Sequence, residues 1–95
     1  MSKEEILSEI TKLAQLAMSP REIEIILDIN QGSIYLNLRT NNGHEYAKAY
    51  LKGKYILEAE LNKSILNLAK QGSGPAQTMA KKLIEQQNAK EVDFE

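Results

Sequence analysis

An all-α fold is expected from three features. Apolar residues recur at spacings of three and four along most of the chain, two serine-headed capping patterns open helical stretches, and a long run of helix formers ends at QGSGP. The expected architecture is an N-terminal helix-turn-helix unit over residues 1–43, a long antiparallel helical hairpin over 44–88, and a flexible acidic tail over 89–95.

Helix one is expected from about Lys3 to Leu16. Ser2 is followed three residues later by Glu5, and Ile6, Leu7, Ile10, Leu13, Ala14 and Ala17 fall on one face. The second helix has the clearest start: Ser19 can cap, Pro20 stands at the first helical position, and Glu22 completes the box. Ile23, Ile26 and Leu27 give it an apolar face of about two turns, and Asp28 to Asn30 reads as a turn with Ile29 as a plug.

A third segment is expected to begin at Asn30 or Gln31, with Ile34 and Leu38 inward and Gln31, Tyr35 and Arg39 toward solvent. SIYLNL also alternates polar and apolar residues, so a strand over 33–38, turning at the NNG of Asn41, Asn42 and Gly43, is the competing expectation. His44 to Gln71 should form one long helix, with Tyr46, Ala49, Tyr50, Ile56, Leu57, Leu61, Ile65, Leu68 and Ala69 at helical spacing and Gly53 interrupting. Gly72 suits a left-handed cap, Ser73 a new start and Pro75 a first turn. The last helix, to about Gln87, should place Ala76, Met79, Ala80, Leu83 and Ile84 on one face.

Composition narrows the function classes. Ninety-five residues make one small domain, and 42% hydrophobic against 26% charged residues is a globular balance; without Trp, the core must be mainly Leu, Ile and Ala. With no cysteine there is no disulfide or thiolate chemistry, and His44 stands alone as a candidate base or ligand. Carboxylate pairs such as Glu4/Glu5 and Glu58/Glu60 sit on open helix faces, and no phosphate loop or metalloprotease motif occurs. A non-enzymatic protein with no cofactor and no bound metal is expected. MSKEEILSE alternates charge with apolar residues, and no window approaches about 20 uncharged apolar residues. The expectation is therefore a cytoplasmic chain without signal peptide or membrane contact.

The net charge of -1 argues against a generally basic nucleic-acid binder, but its distribution is uneven. Residues 31–57 carry four Lys/Arg against one acid, whereas 1–30 carry three against six. The middle segment alone offers phosphates a net attraction, so any DNA binding must multiply weak sites over several copies. Ile23, Leu27, Ile29 and Ile34 occupy the apolar positions of a DNA-binding helix-turn-helix; Glu24 stands where that motif favours Ala, and Asp28 where Gly is common. Glu22, Glu24 and Asp28 would repel phosphates unless they face away. Candidate DNA contacts are Gln31, Ser33, Tyr35 and Arg39 on the third helix, with Lys48, Lys52 and Lys54 adding backbone contacts. Tyr50, Leu57, Leu61, Ile65, Leu68, Met79 and Leu83 exceed what one copy can cover, and are the candidate homo-oligomer interface.

IEIILDINQGSIY followed by EYAKAYLKGKYILEAELNKSILNLAKQGSGPAQTMAKKLI resembles the small subunit of a tailed-phage terminase over roughly Ile23 to Ile84. The resemblance lies in the short helix-turn-helix, the aromatic and Ala-rich start of the long helix, the Gly53-Lys54 step, the Leu/Ala helix and the GSGPA turn. It implies that Gln31 to Arg39 face double-stranded viral DNA and that Tyr50 to Ile84 build a ring in the host cytoplasm. It also implies that DNA is delivered to a large terminase subunit, with the tail as a possible contact. Two alternatives stand beside it: a dimeric transcriptional regulator using the same third helix, and an assembly or adaptor protein that binds no DNA.

Overall fold

The computed structural model describes residues 1–41 and 43–93, with the side chains of 91–93 left aside; Asn42 of the expected NNG turn, and Val92 and Phe94 as the tail's apolar side chains, lie outside the described residues. The chain is all-α. Its helices are α1 (Lys3–Gln15), α2 (Pro20–Leu27), α3 (Tyr35–Thr40), α4 (Glu45–Lys70) and α5 (Gly74–Asp93). No strand occurs among the described residues, so the strand expected as the alternative over 33–38 is replaced by turn and helix.

Two compact units divide the chain within α4, at Glu58 and Ala59 rather than at residue 43. The reason lies in the first half of α4, which packs on α1. Gly53 is buried there, and a Cβ in its place would overlap the Thr11 carbonyl oxygen and lie 2.6 Å from the Ala14 Cβ. One turn earlier the Thr11 hydroxyl donates to the Ala49 carbonyl at 2.9 Å. The glycine that looks like an interruption is thus the point where two helix backbones meet.

The N-terminal unit has a closed core. Ile10, Ala14, Ile23 and Ile34 are buried, and Ile6, Leu13, Met18, Leu27, Ile29, Leu38, Tyr46, Ala49 and Tyr50 pack against them. Ile29 is therefore the expected plug, and Tyr50, a candidate oligomer contact by sequence, packs on the core of its own unit. Ala47, outside the expected apolar set, is fully buried.

The caps expected at Ser2 and Ser19 form. The Ser2 hydroxyl accepts from the Glu5 N–H, and at Ser19 the box is reciprocal, with the Ser19 N–H donating to the Glu22 carboxylate at 2.9 Å. Those bonds to Ser19 hold the Glu22 carboxyl below its usual range. A cap at His44 was not expected: its Nδ1 accepts from the Tyr46 N–H at 3.2 Å, which assigns the single histidine to starting α4.

Three helix ends share one geometry with three different residues. Beyond α1, α2 and α4, respectively Ala17, Asp28 and Gly72 take positive φ of 65°, 52° and 96°. In each, paired backbone bonds close the end: Met18 to Leu13 with Ala17 to Ala14, Ile29 to Glu24 with Asp28 to Ile25, and Ser73 to Leu68 with Gly72 to Ala69. This is the Schellman arrangement, which favours glycine because a Cβ crowds the left-handed conformation. Ala17 was expected on the buried face of α1 but stands exposed in this cap.

In the C-terminal unit the second half of α4 and α5 form an antiparallel pair. Ser73 starts α5 by accepting from the Ala76 N–H, and the Gln77 amide donates back to the Ala69 carbonyl at 3.2 Å. Ala76 and Ala80 are buried, allowing close approach, while Ile65 and Leu83 are half-buried. Leu61, Leu68, Met79 and Ile84 each remain about half exposed. The helix continues past the expected end at Gln87 to Asp93, so the backbone of 89–93, expected as flexible tail, is helical. NAKEV contains no Gly or Pro to stop it, and Ala, Lys and Glu favour its continuation.

Candidate nucleic-acid interface

The surface around α3 is organised by a buried carboxylate. Glu24, from the middle of α2, is only 2% exposed. One carboxylate oxygen accepts from the Gly32 N–H at 2.8 Å, and the other from the Ile34 and Tyr35 N–H groups at 2.9 and 3.1 Å. No side chain of the turn itself caps α3. Glu24 therefore supplies the cap from across the turn, satisfying donors that a helix start otherwise leaves open. Burial alone would push its pKa up, but these three bonds, with Arg21 nearby, outweigh it and hold the carboxyl below its ordinary 4.5.

This arrangement changes where α3 begins. The expected start at Asn30 or Gln31 fails because Gly32 turns through φ 89° and the next N–H groups are directed at Glu24, so regular helix starts only at Tyr35. Glu24 is also not a phosphate-repelling residue of an outer face, the role its position in the motif suggested.

Gln31 and Tyr35 line one shallow groove with Arg21 and Leu36. Arg39 joins them: its Nη1 donates to the Tyr35 hydroxyl at 2.9 Å, and its guanidinium lies 5.8 Å from the centre of that ring. Arg21 was missed by sequence reasoning because Glu22 and Glu24 share its helix and Asp28 follows it. Its place right after Pro20, in the exposed first turn of α2, was the available signal.

Ser33 does not share this surface. Its hydroxyl is buried and has no hydrogen-bond partner among the described residues, and the residue lies with Asn37, Lys3, His44 and Glu45 in a separate depression. There the Asn37 amide donates to the Ser33 carbonyl at 2.6 Å, and Lys3 pairs with Glu45 at 2.6 Å. Lys48, Lys52 and Lys54 are all exposed. Four residues apart, Lys48 and Lys52 share a helix face, whereas Lys54 projects from another.

Helix starts commonly bind phosphate through free N–H groups and the helix dipole. At the start of α3 the Glu24 carboxylate takes that position, accepting from the Ile34 and Tyr35 N–H groups, while on α2 Glu22 accepts only from the Ser19 N–H and on α1 the Ser2 hydroxyl accepts from the Glu5 N–H. At the α3 start, a phosphate contact must therefore come from Arg, Lys and polar side chains. Among the described residues no cluster of His, Cys, Asp and Glu could hold a metal ion, and no helix is long and apolar enough to cross a membrane.

No family model, curated protein or solved structure matches the chain at a significant level.

Proposed function

We propose that the chain is a non-enzymatic DNA-packaging component of a tailed phage, acting in the host cytoplasm. Its N-terminal unit binds viral DNA, its hairpin joins copies into a ring, and the ring presents DNA to a large terminase subunit. The observation that carries the DNA-binding half is the groove of Arg21, Gln31 and Tyr35, with Arg39 bonded to Tyr35, beside the turn that the buried Glu24 caps. The assembly half is supported by the half-exposed Leu61, Leu68 and Met79. Avidity over several copies offsets the weak net attraction of each one.

One observation favours the DNA-independent adaptor instead: the start of α3, in the candidate DNA-facing segment, is closed by the Glu24 carboxylate rather than left open for a phosphate. Duplex binding at two salt concentrations, for wild type and R39A, decides between them. The packaging proposal expects affinity that falls with salt, and a log–log slope about one smaller for R39A. Binding that is absent or indifferent to salt assigns the protein to the adaptor class.

A further inference from the structure

We infer that Tyr35 is a positioning residue for Arg39, and that the pair reads a guanine edge in the major groove. The inference rests on the DNA-binding proposal and deepens it. In a docked helix-turn-helix the N-terminal residues of the recognition helix contact base edges. Arg39 is next to last in α3, one turn too far along for that task. Side chains on a helix lean back toward its N-terminus, and here the lean is fixed by two contacts. Nη1 of Arg39 is bonded to the Tyr35 hydroxyl, and the guanidinium lies over the Tyr35 ring. The pair thus carries the cationic fork to the first residue of the helix.

The chemistry left free suits guanine. A guanidinium has five N–H donors, and the phenol oxygen accepts from Nη1 alone, so a parallel pair of donors remains for the O6 and N7 acceptors of guanine. The phenol keeps its own proton for a phosphate oxygen. Free to sweep, Arg39 would find phosphates at every step of the duplex; held by Tyr35, it is aimed at one place. Lys48 and Lys52, with no hydrogen-bond partner among the described side chains, are suited to the sequence-independent share of binding.

The test is selection from a library of duplexes with a randomised core, using wild type, Y35F, R39K and R39A, with binding repeated at two salt concentrations. Wild type is expected to enrich guanine at one position of each bound site. Y35F keeps the ring and removes the acceptor; R39K keeps the charge and removes the fork. Each should reduce guanine discrimination on the order of tenfold, and R39A should abolish it. Tyr35 is outside the core, so thermal melts of Y35F should match wild type. A merely structural Tyr35 would lower affinity for all duplexes equally, and that result overturns the inference. Salt-sensitive binding without base preference, or guanine preference intact in Y35F, also overturns it while leaving DNA binding standing. No salt-sensitive retention of any duplex removes both.

Discussion

The two units of this chain handle similar apolar content in opposite ways. Residues 1–58 bury Ile10, Ile23 and Ile34 completely while leaving Leu16, Ile25, Ile26 and Leu36 more than half exposed, whereas residues 59–95 bury only two alanines and leave Leu61, Leu68, Met79 and Ile84 about half exposed. The difference is geometric. Three short helices and the start of a fourth can surround a point, while two helices can only press along a line, and each keeps an outer face. The first unit closes a core of large side chains; the second buries only small ones and leaves its leucines half exposed, the surface on which the proposed assembly rests.

The sharpest way to break that comparison is at Glu24, where the first unit depends on one buried charge. E24A should destabilise it by about 2–3 kcal/mol, because three backbone donors, one of them in a fully buried bond, lose their acceptor. Chemical denaturation measures this, and a loss below about 1 kcal/mol would show the cap to be dispensable. Since folding lowers this carboxyl's pKa, its contribution is complete above the unfolded value near 4.5 and lost as pH falls through the folded one. Wild type should therefore weaken as pH drops below that value. E24Q should be less stable near neutrality and show less of this acid dependence.

Next in size is G53A. An alanine gains about 1 kcal/mol of helix propensity, yet its Cβ must displace the Thr11 carbonyl, and overpacking of this kind typically costs 1–3 kcal/mol. A net loss is expected in a thermal melt; a gain would mean that α1 and α4 separate freely at that crossing. The smallest effect is opposite in sign. A17G should stabilise the protein by about 0.5–1 kcal/mol, because Ala17 is left-handed and exposed. An unchanged midpoint would count against the helix end described for α1.

Much of this fold was legible beforehand, because its signals are local. Ser19-Pro20-Arg21-Glu22 writes a helix start in four residues, Gln71 to Pro75 writes a turn, and the spacing of Ile10, Ile23, Ile34 and Leu38 marks a core. What escaped was non-local. Nothing within α2 shows that Glu24 turns inward to cap a helix ten residues away, and so the start of α3 was misplaced and a structural carboxylate looked like an exposed one. Gly53 reads as a helix breaker until α1 is seen against it. For the site, exposure of Gln31, Tyr35 and Arg39 followed from helical phase, but the bond between Tyr35 and Arg39 and the burial of the Ser33 hydroxyl depend on side-chain placement that periodicity does not encode.

The central claim is that the hairpin's exposed leucines are covered by further copies. Sedimentation equilibrium across the micromolar range, for wild type and the double variant L61S/L68S, tests it most directly. A wild-type mass well above that of a dimer, reduced toward a single chain in a variant that keeps its helical content, is the predicted result. A wild type that stays a folded single chain throughout that range would contradict it.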